Sequence, residues 1–165
     1  MKYKYSNISV PKEKRAEYNE KLLTLIRLED MQGVTAQNIF DVYTGDGGLH
    51  GLNFNDFGSY HDYKEAKQAF EQGQFFTHPD VCRDIVSMFP VGANDFVADL
   101  TFGMGHFINV LPNEAYFFGT ELDTNAYTVA KYLYPNANLE NKDIRAYAPS
   151  VKFDYKPSGI GCENN

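Results

Sequence analysis

Three acidic residues and two glycines in the second half of the chain have the types and the spacing to hold a nucleoside. A short apolar run, Phe96-Val97-Ala98-Asp99-Leu100, leads through Thr101 into a Gly103-Met104-Gly105 turn. A strand ending in such a turn brings backbone N–H groups and a helix N-terminus to the carboxyl edge of a sheet, where a carboxylate or phosphate is favoured. A dinucleotide fingerprint would place a third glycine at position 108; Ile108 stands there, which weakens the phosphate-cradling version of the motif. Glu121 follows the next apolar run, Tyr116-Phe117-Phe118, about 20 residues after Asp99, the offset at which an acidic side chain accepts from ribose hydroxyls. Asp143 comes just after a third candidate strand, Asn138-Leu139-Glu140-Asn141, where a carboxylate could accept from an adenine amino group. Taken singly, Glu121, Asp123 and Asp143 also fit a helix N-terminal charge, an N-cap and a loop residue. Asp99, Glu121 and Asp143 at three successive strand ends beside a glycine turn favour a nucleoside-type site.

The elements that must position these residues alternate in the order of a parallel sheet with crossover helices. Thr77-His78-Pro79-Asp80 opens a helix carrying Val81, Ile85, Val86 and Phe89, with Thr77 as its expected N-cap and Asp80 at the capping-box distance. Asp123 or Thr124 caps a later helix bearing Ala126, Val129, Ala130 and Leu133, and Phe153-Asp154-Tyr155 reads as a fourth strand. Ahead of the sheet, Tyr18, Leu22, Leu25 and Ile26 recur at helical spacing from Pro11 to about Glu29, until Gly33 breaks the pattern. Thr35 caps a second helix with Ile39, Phe40 and Tyr43, ended by Gly45. The glycine- and aromatic-rich stretch 45–54 reads as an ordered loop, and Asp62 to Gln72 as a third helix with Tyr63, Ala66 and Phe70 turned inward and Gly73 at its end. The expected organisation is a helical region with an ordered loop over 1–72, a cofactor half-sheet over 73–155 and a tail over 156–165.

On these residues the chain from about Gly45 to Tyr155 resembles the cofactor half of the adenine-N6 DNA methyltransferases, in particular the large methylases of bacterial mobile elements and the type I modification subunits. Those proteins carry a Phe-Phe-Thr-Pro segment ahead of the first strand, matched by Phe75-Phe76-Thr77-His78, with Pro79 one place late. Their Asp-x-x-x-Gly-x-Gly turn is matched by Asp99, Gly103 and Gly105. The resemblance implies an α/β fold: a partial Rossmann-like methyltransferase sheet of about four parallel strands with an N-terminal helical extension. It implies S-adenosylmethionine as cofactor, its amino-acid end over the turn that includes Thr101, its ribose on Glu121 and its adenine near Asp143. Phe76 and Thr77 would line the pocket, and Leu122 would flank the adenine ring.

The family continues after the fourth strand into an Asn-Pro-Pro-aromatic loop that holds the flipped base in line with the methyl group. Here Tyr155 is followed by Lys156-Pro157-Ser158-Gly159, so no catalytic residue is assigned, and DNA methylation by this chain alone is not expected. A net charge of −7 also argues against unaided binding to DNA, because counterion release needs a basic surface. An alternative of another class is a non-catalytic binding or inhibitor protein, of the anti-restriction or anti-CRISPR type. It would dock a protein partner, or a second copy, at an incomplete sheet edge. An incomplete piece of a working enzyme is a third reading. The four histidines have no metal-ligand spacing and read as surface or loop residues, His61-Asp62 near Asp56 included, so no metal is expected. Cys82 and Cys162 read as free thiols. No run of eighteen apolar residues and no signal-peptide pattern occurs, which makes the cytoplasm the expected location and a membrane an unexpected partner.

Overall fold

The computed structural model describes residues 1–6, 8–49, 51–71 and 74–155. The expectations placed on His50, Gly73, Cys162 and the 156–165 tail lie outside these residues. The chain divides into two compact units, one of residues 6–76 and one that joins residues 1–5 to 77–155. Among the described residues no helix is long and apolar enough to cross a membrane.

The helical unit begins with α1 (Lys12–Leu28), which buries Leu22, Leu23 and Leu25. Tyr18 is 38% exposed, and the adjacent Asn19 is buried in its place because its amide ties down the chain after the second helix. Helix α1 ends before Gly33 is reached. Glu29 takes the left-handed conformation, and Glu29 and Asp30 donate back to Ile26 and Leu25, a Schellman closure that does not require glycine. In α2 (Ala36–Val42) Thr35 caps as expected, in a reciprocal box with Asn38. The loop that follows packs on 74–76: Asp46 N–H donates to Gln74 Oε1 at 2.6 Å, and a Cβ at Gly45 would meet the Phe76 ring at 2.7 Å. Helix α3 (Tyr60–Glu71) does not turn Phe70 inward; that ring is 52% exposed. Its tyrosines are used locally, with Tyr63 edge-on to Phe54 and Phe57 at 5.7 Å each.

The second unit contains α4 (Pro79–Ser87), β1 (Val97–Asp99), α5 (His106–Val110), β2 (Phe117–Glu121), α6 (Thr124–Leu133) and β3 (Asn138–Asn141). It is an α/β arrangement around a three-stranded parallel sheet in the order β1-β2-β3. Val97 to Asp99 pair with Phe117 to Gly119, and Phe118 to Glu121 pair with Asn138 to Asn141. Of the expected fourth strand, the described residues show one parallel bridge, Val97 to Tyr155, on the side of β1 away from β2. Ahead of that bridge the Asp154 carboxylate takes the Phe96 N–H at 2.9 Å, so a side chain stands where a ladder bond would run. Helix α6 buries Ala126, Val129, Ala130 and Leu133, the four residues whose spacing marked its inner face. Helix α4 buries Pro79 and Cys82, half-buries Ile85 and Val86 and leaves Val81 48% exposed. The N-terminal residues are anchored to this unit through Asn109, whose amide exchanges two hydrogen bonds with the Tyr3 backbone at 2.7 and 2.9 Å.

Candidate functional site at the carboxyl edge of the sheet

Strand β1 delivers Asp99 to the carboxyl edge, where it is buried and accepts from Thr101 N–H at 3.0 Å. Burial first, and the neighbouring Glu121 charge with it, push the Asp99 carboxyl above the usual carboxylate range, against the pull of the Thr101 N–H. The chain then turns through Gly103 and Gly105, both with left-handed φ. Gly105 cannot be replaced without strain, because its φ is +87° and a Cβ there would stand 2.7 Å from the Tyr134 ring. A similar close approach fixes Gly119 on β2, where a Cβ would lie 2.5 Å from the Asp99 carbonyl oxygen.

Strand β2 ends at Glu121, and its carboxylate is the hinge of the site. One oxygen accepts from Gly103 N–H at 2.9 Å and the other from Asp123 N–H at 2.8 Å. Glu121 therefore ties the glycine turn after β1 to the first residues of α6, leaving lone pairs on both oxygens for a further donor. Asp123 is spent structurally, its carboxylate capping α6 through Ala126 N–H at 2.6 Å. Among the described residues of the turn, 99–105, there is no lysine or arginine to neutralise the two carboxylates.

No family model, curated protein or solved structure matches this chain. The site is therefore read from its own geometry. Asp99, Thr101, Gly103, Gly105 and Glu121 are brought together at one sheet edge, and Leu122, next to Glu121, holds an exposed side chain there. Thr77 is joined to the end of the turn through His106, whose Nδ1 lies 2.6 Å from the Thr77 carbonyl oxygen. Phe76 belongs to the helical unit, where its ring stacks on Tyr43 at 6.0 Å. Asp143 is engaged by its own neighbour: it accepts from Arg145 N–H at 2.8 Å and from the guanidinium at 2.5 to 3.1 Å. The Arg145 side chain is the main cause that draws the Asp143 carboxyl down to about 2.

Two expectations for individual side chains are corrected. Thr77 does not cap α4. Pro79 occupies the first helical position, so the cap falls on the residue before it, and His78 Nδ1 accepts from Asp80 N–H at 3.2 Å. His106 is not a surface histidine; it is half-buried and bonded to Thr77. Asn141 was also missed. Its amide donates to the carbonyls of Glu121 and Leu122 at 2.7 and 3.2 Å and accepts from Thr124, joining the ends of β2 and β3. A polar residue closing a strand beside a cap-bearing loop is the only signal that marked it.

Cys82, fully buried, has its thiol pushed up to about 12, by burial first and then by Asp99, which makes it unfit as a nucleophile. An open cleft of about 390 Å³ beside the start of β3 is lined by Phe118, Lys131, Asn138 and Tyr147 among others. It contains none of the candidate residues, and two of its polar side chains are already used. Lys131 donates to the Pro135 and Ala137 carbonyls, and the Asn138 amide to those of Ala115 and Phe117. Among the described residues His61, Asp62 and Glu65 form the one grouping with metal-ligand atoms within 4.8 Å of one another, all three exposed on α3.

Proposed function

We propose that the second unit binds S-adenosylmethionine at the carboxyl edge of its sheet, as a Rossmann-like cofactor domain related to the adenine-N6 DNA methyltransferases. The observation that carries this reading is the Glu121 carboxylate bonded to Gly103 N–H beside the buried Asp99. Two carboxylates crowded together in a poorly solvated place repel each other and disfavour a phosphate-bearing dinucleotide. They favour a ligand with positive charge, and S-adenosylmethionine brings an ammonium and a sulfonium together with the ribose hydroxyls that Glu121 can accept. The strand order supports the same site. The chain passes outward from β1 to β3 and returns at Tyr155 on the other side of β1, a reversal of the kind that opens a ligand crevice at the carboxyl ends of the strands.

The sequence contains no Asn-Pro-Pro segment. Within these 165 residues there are candidate groups for the methyl donor and no such segment to orient an acceptor base, an orientation worth ~7–11 kcal/mol of barrier. DNA methylation by the isolated chain is expected to be undetectable. Calorimetric titration with S-adenosylmethionine and S-adenosylhomocysteine tests the binding step. Micromolar binding, weakened more by Glu121→Ala than by Asp123→Ala, is the expected result. Equal losses would displace the ribose from Glu121. No binding by the wild-type chain would end the cofactor reading and turn attention to a protein partner.

A further inference from the structure

His106 is the first residue of α5, directly after Gly105, and its Nδ1 lies 2.6 Å from the carbonyl oxygen of Thr77. A carbonyl oxygen only accepts, so the hydrogen of this bond sits on Nδ1. Burial lowers the proton affinity of the ring and favours its neutral form, and the bond to the Thr77 carbonyl selects the Nδ1–H tautomer of that form. The Cys82 thiol, one turn into α4, lies 3.8 Å from the same carbonyl oxygen. Thr77 thus receives donors from both sides, one from the end of the glycine turn and one from α4, while its own side chain stays exposed and takes no part in the cap. The bond joins Thr77 to the residue after the glycine turn across a sequence separation of 29 residues.

We propose that His106 is a positioning residue of the ligand site: by holding the Thr77 carbonyl it fixes Thr77 beside Gly105 and sets the wall against which the bound ligand rests. This inference depends on the cofactor reading above. A hydrogen bond of this kind has a modest net effect, so its loss predicts a roughly five- to tenfold weaker complex.

The test compares three variants of the full chain by calorimetry with S-adenosylmethionine, alongside thermal unfolding without ligand. In His106→Asn the amide nitrogen lies near the position of Nδ1 and can still donate to Thr77. In His106→Gln the amide reaches the place of Nε2 instead, and in His106→Ala nothing donates. The expected result is binding within about twofold of wild type for Asn and a five- to tenfold loss for Ala and Gln, all three variants giving cooperative unfolding. Nitrogen-15 NMR of the wild-type ring is expected to report the neutral Nδ1–H tautomer. Wild-type affinity in the Ala variant, a loss in Asn equal to that in Ala, or an Nε2–H tautomer would each overturn the proposal while leaving the cofactor reading in place. Absence of binding by the wild-type chain would instead remove both.

Discussion

Asn19 in the helical unit and Asp99 in the sheet unit lie at nearly the same depth, 4% and 6% exposed, yet their environments treat them differently. The Asn19 amide is fully used: it accepts from Thr44 N–H at 3.0 Å and donates to the Gly45 carbonyl at 2.8 Å, which locks the loop after α2 to α1. Asp99 holds an ionisable group where burial and the Glu121 charge both oppose ionisation. A satisfied amide is a structural device. A carboxylate kept where its charge is disfavoured weakens the empty fold, and such violations concentrate where something binds. Asn109, also in the sheet unit, follows the Asn19 pattern with both amide groups bonded to Tyr3. The contrast therefore belongs to the site and not to the unit.

The largest expected effect breaks the carboxylate side of this comparison. Glu121→Gln keeps the size of the side chain but replaces one acceptor oxygen by an N–H₂ group, which must then face either Gly103 N–H or Asp123 N–H. Two part-buried donors cannot share one acceptor in that geometry, so S-adenosylmethionine binding should fall by at least roughly tenfold, almost as far as in Glu121→Ala. Retention of wild-type affinity would show that the charge and both oxygens are dispensable. Asn19→Ala tests the amide side. It leaves the Thr44 N–H and the Gly45 carbonyl without their partner and should cost about 2–3 kcal/mol in denaturant unfolding, with ligand affinity unchanged within about twofold. A loss of affinity on that scale would contradict the division between structural amide and site carboxylate.

The sequence was most legible where residues close in the chain decide the outcome. The inner face of α6, the Thr35 cap and the limits of β3 all follow from short-range rules acting on neighbouring residues. It was less legible where a proline or a distant backbone group competes with the pattern. Pro79 moved the cap of α4 from Thr77 to His78, and the Asp154 carboxylate took the Phe96 N–H that a strand ladder would use. Helix α3 has the spacing of a core helix, yet Phe70 is exposed while Tyr63 packs on Phe54 and Phe57 nearby in the chain. At the site, acidic residues at strand ends were visible as types and positions. That both Glu121 oxygens serve backbone N–H groups, and that His106 reaches a carbonyl 29 residues away, depend on long-range geometry that no local pattern encodes.

Asp99→Asn sharpens the contrast with a smaller effect. The folded Asp99 titrates above the ordinary value of 3.8, so just above that value the folded protein binds more protons than the unfolded chain, and stability falls as pH rises. The amide variant lacks this loss while keeping an oxygen for Thr101 N–H. Its melting temperature should match wild type near pH 4 and exceed it at neutral pH, by an amount on the order of a few degrees. S-adenosylmethionine binding should weaken at the same time, because one of the two carboxylates facing the cationic ligand is gone. A variant less stable than wild type at neutral pH would mean that the charge stabilises the empty fold, and the contrast with Asn19 would fail.

The smallest effect concerns Asp143, which stands outside this contrast because Arg145 already neutralises it at the surface. An exposed pair of this kind contributes little to folding, so Arg145→Ala should leave the unfolding midpoint in place. Its consequence lies in competition. If the adenine amino group donates to Asp143, Arg145 occupies the same oxygens in the empty protein, and its removal should leave S-adenosylmethionine affinity unchanged or tighten it slightly, whereas Asp143→Ala should weaken it. Calorimetry on the two variants separates this from the opposite assignment. Weaker binding in Arg145→Ala would mean that the guanidinium itself meets the ligand and that Asp143 serves to hold it. The adenine would then lie against Arg145, and the carboxylate preference argued for Glu121 would stop at the ribose.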